Sequence, residues 1–500
     1  MYLNLLTTII VFALQTAINF FLTPYILRVL GDEAYGFLAL ANSLVNYGFI
    51  LTLVINSVAS RFIASSYHKG NFARASKFYS SVIVANLIFS LIVALVSFVF
   101  LVKIQSVINI SQALLSDVRA TMAIYFINFS IGLFNALFSV HAFIKNQMYL
   151  ISIRNAISTA IYAGCVLGLF WVFEAMIYYT AIAALISSIF VFFSALFLNR
   201  KFGLNLHFNF KLFRIKFVYV LARSGLFNSL NMLSQVLLSG ASLLLVNIFI
   251  SALSMGILAL SRSVTMIIES FVITTTVAWN PRLVALHAGA KPLKDEVILA
   301  IKSVSFISLP LIATFGILAD EFYTLWLPFK SKEEIEFIYE LVLISLVPSI
   351  IFASSRPLIS INLITDKLKK PALVTLFMAV CVFCIQLIGL SFFEFGLKEI
   401  AIAITIGIAL KISLFDIANA GANLGLKLST FYPIYIKCLA VFALITGIIY
   451  PISNMLSVTN WLEFLLCCTL MSGLGYLVGF AMIFNSAQRA IFIAKIRGRF

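Results

Sequence analysis

Apolar residues in this chain come in long runs, not in the alternation of a half-buried strand or the narrow stripe of a surface helix. Fourteen runs approach the roughly 20 residues that cross a bilayer. They cover residues 4–27, 36–58, 79–102, 119–143, 150–172, 176–198, 217–246, 250–276, 303–326, 337–360, 372–392, 400–422, 433–452 and 462–484. The pattern predicts an all-α polytopic membrane protein of about 14 transmembrane helices. The first run has no basic stretch before it and no small-residue cleavage site, so it reads as a retained span and not a signal peptide.

The runs repeat. Residues 15–44 are echoed, 220 positions later, by residues 235–264. Gln15 matches Gln235, and Tyr35-Gly36-Phe37-Leu38-Ala39-Leu40-Ala41-Asn42-Ser43 matches Met255-Gly256-Ile257-Leu258-Ala259-Leu260-Ser261-Arg262-Ser263. With a one-residue slip either way, Arg61 to Ala64 matches Arg282 to Ala285, and His68 and Gly70 match His287 and Gly289. An offset of six helices keeps both copies in one orientation. They are therefore expected as two six-helix bundles related by a pseudo-two-fold axis along the membrane normal. The expected divisions are 1–205, 206–430, two additional helices within 431–484, and a basic tail at 485–500. The connectors 59–78 and 277–302 correspond and read as surface helices.

Polar positions inside the runs are not scattered. The seventh run carries Ser224, Asn228, Asn231, Gln235, Ser239 and Ser242 at spacings of three and four, which is one helix face. The first run has a thinner version in Thr8, Gln15, Asn19 and Thr23, and the second adds Asn42, Asn46 and Asn56. Unpaired polar groups are costly in lipid, so such stripes face protein or water. The reading adopted is a wet cavity between the first two helices of each half, the alternative being hydrogen bonds between helices. Four charges stand deeper: Arg262 and Glu269 in the eighth span, Lys411 and Asp416 in the twelfth. Each costs about 2.5–3.5 kcal/mol at a helix centre unless partnered or hydrated. Arg262 and Glu269 are about 10 Å apart along the axis. Lys411 and Asp416, five residues apart, diverge in azimuth on an α-helix. Pairing across helices, for instance Glu269 with Lys411, is one expectation. Contact of a cation with an anionic substrate is the other, with Arg262 first because its fork holds a phosphate bidentately. Arg28 and Arg61 flank the same expected cavity, and Glu269 and Asp416 are candidates for coupling to an ion or proton.

Composition narrows the class. The 500 residues are 62% hydrophobic and 10% charged, with a mean hydropathy of +1.10, which leaves little soluble mass. The net charge of +16 suggests nucleic acid until its placement is read. Most Lys and Arg fall in alternate connections, such as 59–78, 199–216 and the tail. Most acids, among them Asp32, Glu33, Asp320 and Glu321, fall in the others. This bias predicts both termini in the cytoplasm and no nucleic-acid partner. It also suits contact with anionic membrane lipids. No G-x-x-x-x-G-K-[ST] occurs. The six Cys lie in apolar spans, and the four His show no metal-ligand spacing, so no metal or other cofactor is expected.

Pro24-Tyr25-Ile26-Leu27-Arg28-Val29-Leu30-Gly31-Asp32-Glu33-Ala34-Tyr35-Gly36 resembles the first-loop signature of the polysaccharide flippases. These are the Wzx-like O-antigen and capsule branch of the multidrug/oligosaccharidyl-lipid/polysaccharide exporter superfamily. The helix count, repeat and basic 59–78 connector are similar too. The resemblance implies a transporter, not an enzyme. It implies alternating access of two bundles in a bacterial inner membrane. The implied substrate is an undecaprenyl-pyrophosphate oligosaccharide for surface polysaccharide (O-antigen, lipopolysaccharide) synthesis, moved from the cytoplasmic to the periplasmic leaflet. A polysaccharide polymerase and a chain-length regulator are implied partners. It also implies that cavity cations hold the pyrophosphate, a role that falls on Arg262 and, less directly, on Arg28, Arg61 and Lys411. The sugar would meet Asn42, Asn46, Gln15, Asn228, Asn231 and Gln235. Two alternatives stay open. One is a peptidoglycan lipid precursor flippase. The other is a cation-coupled multidrug antiporter, which would favour twelve helices and an acid in the first helix, where this chain has Gln15 and Asn19.

Overall fold

A computed structural model describes residues 2–138, 140–145, 147–201, 206–289 and 291–490. The side chains of Thr8, His141 and Ser239, and the tail residues Lys495, Arg497 and Arg499, lie outside the described part. Among the described residues all the regular structure of the chain is helical. In order it forms α1 (Tyr2–His68), α2 (Phe72–Val102), α3 (Ile104–Val107), α4 (Leu115–Phe138), α5 (Val140–Ile144), α6 (Met148–Val172), α7 (Ile177–Lys201), α8 (Ile215–Phe249) and α9 (Ala252–Val277). There follow α10 (Asn280–Ala288), α11 (Lys294–Ile317), α12 (Ala319–Trp326), α13 (Lys332–Ile364), α14 (Lys369–Phe392) and α15 (Leu397–Leu410). A π-helix at Lys411–Asp416 leads into α16 (Ile417–Asn423), and α17 (Tyr432–Ser453) and α18 (Trp461–Ile483) close the order.

Among the described residues twelve helical segments are long and apolar enough to cross a membrane. The expectation of about 14 differs at two places. The expected spans 4–27 and 36–58 fall in one helical apolar run, Ile10–Ile50. The expected span 119–143, here α4, is not among the twelve; Thr121, Asn128, Ser130 and Asn135 interrupt its apolar positions. A straight helix of 67 residues would extend about 100 Å, three times the hydrocarbon thickness. Gly31 divides it: its φ of 83° and ψ of 171° are non-helical and open only to glycine. Two rods result, 2–30 and 32–68. The expected span 303–326 also resolves differently, into α11 and the separate short α12.

Of the two expected connector helices, only the second forms a helix of its own. In the first copy, Arg61 to His68 simply continues α1, which ends before Gly70 at φ 72°. In the second copy, Pro281 in the first turn starts a separate helix, α10.

Contacts divide the chain into two compact units, 1–259 and 260–500. In unit 1, α8 packs along the second rod of α1. Gly225 sits against the Val54 carbonyl, and Gly240 against Ser43 and Tyr47. At the Gly31 end, Asn109 and Asn247 clasp each other. Each donates its side-chain amide to the other's backbone carbonyl, at 2.9 and 3.1 Å. Gly36 meets Gly256 there: a Cβ on Gly36 would stand 2.8 Å from the Gly256 nitrogen. These are the two glycines paired by the 220-residue echo, so equivalent positions of the two copies touch, as across a two-fold axis. Within the same unit, Asp117 of α4 caps α7 by accepting from the Ile177 and Tyr178 N–H groups at 2.6 and 2.7 Å.

In unit 2, an aromatic cluster of Phe315, Phe322, Tyr323, Trp326, Trp461 and Phe464 ties α11, α12 and α18 together. Ser331 and Glu334 close a capping box at the start of α13.

Gly256→Val is expected to lower the unfolding midpoint in detergent, through overpacking worth about 1–3 kcal/mol. Gly164→Val, on a face of α6 with nothing within 4 Å, should leave the midpoint unchanged. Equal effects of the two substitutions would contradict the close seam.

Candidate functional site

The deep charges of unit 2 gather on three elements. Arg262 and Glu269 share one face of α9, two turns apart. Glu269 interacts electrostatically with Arg262 and also with Arg356 of α13. Arg356 in turn interacts with Asp416 on the π-helix. Asp416 Oδ2 lies 3.0 Å from Lys411 Nζ, the two side chains being 1% and 12% exposed. The order is cation, acid, cation, acid, cation, with a net charge of +1. The Arg356 guanidinium also lies over the Phe352 ring, 5.6 Å from its centroid.

The Lys411–Asp416 pair corrects the expected divergence. On an α-helix, residues five apart are rotated by about 140°. Here residues 411–416 are wound as a π-helix, whose i→i+5 bonds bring positions five apart onto one face. Two tyrosines of α17 brace the segment. Tyr432 donates its hydroxyl to the Ser413 carbonyl at 2.6 Å, and the Tyr435 and Ser413 hydroxyls are 3.0 Å apart. Glu269, offered above as a partner for Lys411, instead interacts electrostatically with two arginines. Nearby, Asn362 accepts from Asn419 and Asn423 at 2.8 Å each, tying α13 to α16.

Arg356 was missed in the sequence. It lies four residues inside the expected end of its span at 360, where a long cation reads as snorkelling to the interface. The helix runs on to Ile364, so Arg356 is eight residues from its end. The readable signal was a charge within Ser354-Ser355-Arg356-Pro357, inside an apolar run.

Unit 1 distributes the polar candidates differently from the expected single cavity. Gln15 and Asn19, on the first rod of α1, face α4, α6 and α7. They open on a chamber of about 420 Å³ that Asn128, Ser158, Thr159 and Tyr162 also line. Gln15 donates to Thr159 Oγ1 at 3.1 Å. The Gln15 stripe is on the first rod of α1, whereas the Asn228 stripe is on α8, which packs along the second rod. There Asn228 donates to Ser57 Oγ at 3.3 Å, and Ser229 to the Ile50 carbonyl. Asn42 is exposed, bonds the Leu38 carbonyl at 3.1 Å and shares a hydrogen bond with Tyr125. Asn46, Asn231 and Gln235 are exposed. Asn56 is structural: it and Asn86 exchange amide hydrogen bonds at 3.1 and 3.2 Å. Arg28 and Arg61 are both exposed, the latter over the Phe62 ring. Arg28 stands three residues before the Gly31 bend and Arg61 thirty after it, about 45 Å along the second rod.

Residues 8–147 match the MatE family. Over 461 residues the chain is 26% identical to the uncharacterized membrane protein EpsK of Bacillus subtilis (strain 168), covering 90% of this chain and 86% of that one. The fold is shared with the lipid II flippase MurJ in an inward closed conformation. That likeness has a TM-score of 0.73 at 15% identity and covers 96% of this chain and 98% of MurJ. The fold is also shared with an inward-facing multidrug resistance MATE family transporter of the MOP superfamily. There the TM-score is 0.68 at 15% identity, over 84% of this chain and 98% of that one. The chain is thus a multi-pass membrane protein with the fold of MOP superfamily transporters.

Lys411→Met should destabilise unit 2 by about 3–5 kcal/mol, because Asp416 is left buried beside one fewer cation. Adding Asp416→Leu should recover most of that loss in the unfolding midpoint. A double variant no better than the single one would refute the pairing.

Proposed function

We propose that this protein is a flippase that carries a lipid-linked oligosaccharide, joined to its polyprenol through pyrophosphate, from the cytoplasmic to the outer leaflet of a bacterial inner membrane. One observation carries the reading. Three cations and two acids stand at membrane depth in unit 2, a net positive cluster in a place where each charge is costly. Such a cost is kept where a ligand or a coupling step needs it. A pyrophosphate is the anion that two guanidinium forks suit, and Arg262 and Arg356 supply them. Glu269 interacts electrostatically with both arginines, which makes it, with Asp416, the candidate for ion or proton coupling. The cytoplasmic basic connections attract the anionic head, and alternating access then exposes it on the other side.

A peptidoglycan lipid precursor is the second reading, favoured by the likeness to MurJ. It shares the polyprenyl pyrophosphate and differs in the sugar. A drug antiporter fits less well. The MATE likeness covers 84% of the chain where the MurJ likeness covers 96%, a difference of about 60 of 500 residues, or two spans. The first helix also offers amides where an acid would be needed.

The test uses purified protein in liposomes carrying a labelled polyprenyl-pyrophosphate oligosaccharide, read by quenching from one side. Arg262→Ala and Arg356→Ala are each expected to slow flipping about 10–100-fold, from the loss of a charged hydrogen-bonding fork. Arg262→Lys should fall between. Flipping at the native rate in both alanine variants rules out the phosphate role of the cluster.

A further inference from the structure

The chamber inside unit 1 is built differently from the charged cluster. Its residues come from the middles of four helices: Gln15 and Asn19 from the first rod of α1, Asn128 from α4, Ser158, Thr159 and Tyr162 from α6, with Ser187 and Ser188 from α7. All nine residues that line it are uncharged. Eight of them carry an amide or hydroxyl. At mid-membrane each of these groups must meet a partner or water. Some do: Gln15 bonds Thr159, and the Ser158 and Ser187 hydroxyls are 2.6 Å apart. The side-chain oxygen of Asn128 is buried and has no hydrogen-bond partner among the described residues. An acceptor left open on the wall of a polar chamber is a place for a donor from a ligand or a water.

The chemistry of the wall selects the occupant. Amides carry a donor and an acceptor side by side, as do neighbouring hydroxyls on a sugar ring. Tyr162 adds an apolar ring face with a polar tip. A volume near 420 Å³ lies within the range of small-molecule sites. It is far larger than the shell of a bare metal ion, and the lining holds no carboxylate to hold one. On these grounds, and resting on the lipid-linked glycan reading above, we infer that the unit 1 chamber is a subsite for a neutral sugar unit of the substrate. Gln15, Asn19 and Asn128 read its hydroxyls.

The experiment compares binding of farnesyl pyrophosphate with that of four farnesyl-pyrophosphoryl sugars, bearing glucose, galactose, N-acetylglucosamine or N-acetylgalactosamine. Purified full-length protein is used, and the readout is the ratio of affinities with and without sugar. The native protein should prefer at least one sugar-bearing probe by about tenfold, the worth of two or three neutral hydrogen bonds. Asn128→Leu, and separately the isosteric Thr159→Val, should bring that ratio close to one. Two variants of different size guard against a folding defect, checked by the unfolding midpoint. Preference retained in both variants, or absent in the native protein for all four sugars, overturns the subsite. Sodium binding that the variants lose, with the sugar ratio unchanged, also overturns it and makes the chamber a cation site. Failure of the native protein to bind farnesyl pyrophosphate at all is the distinct result that removes the flippase reading, and this inference with it.

Discussion

A polar or charged side chain at the middle of a membrane-spanning helix has to be met by protein or by water, because hydrocarbon offers it neither donor nor acceptor. Much of the tertiary structure of this chain answers that demand. Asn56 and Asn86 clasp α1 to α2, and Asn86 also donates to the Leu133 carbonyl of α4 at 3.0 Å. Asn362 gathers two asparagines of α16. Asp117 turns inward to serve the exposed N–H groups of α7. Where protein partners run out, space for water appears, as in the chamber behind Gln15. The same constraint thus produces both the fastening points and the sites.

Charge obeys the rule more strictly than amides do. Five ionisable groups in unit 2 are arranged so that each acid stands between basic side chains. Distortion of the helix is part of that arrangement. A π-helical segment stretches the backbone ladder by one residue and would be unfavourable alone. It is held by the Lys411–Asp416 pair and by two tyrosine hydroxyls. An ion pair at this depth contributes little net stability, since desolvation offsets much of its attraction. Its persistence therefore points to use. The row alternates in sign from Arg262 to Lys411, so each acid has a cation on either side of it.

Duplication supplies the frame for this. Gly36 and Gly256, equivalent in the repeat, touch each other. The absence of a Cβ on both lets the backbones approach closely enough to seal that end of unit 1. The copies have diverged in chemistry while keeping this contact. Asn42 in the first copy shares a hydrogen bond with Tyr125; Arg262 in the second enters the charged row.

Hydropathy is a sum over a local window, so the spans, the repeat and the deep charges Arg262, Glu269, Lys411 and Asp416 were legible in the chain itself. The break near Gly31 was legible as the gap between the expected spans 4–27 and 36–58, but not the positive φ by which one continuous helix becomes two rods. Partner choice lay beyond the sequence, because it depends on azimuth and on residues far away along the chain. Period 3.6 placed Lys411 and Asp416 apart; the π-helix, decided by packing against Tyr432 and Tyr435, put them together. Arg356, inside the expected span 337–360, was missed; α13 runs on to Ile364 and leaves it eight residues from the helix end. Gln15 and Asn19 were recognised as wet positions, but only the packing of α1 against α6 showed that they face a chamber within unit 1. The sequence determines which residues need partners in a membrane, through their polarity. The tertiary structure decides which partner each receives, because that is a matter of direction and distance.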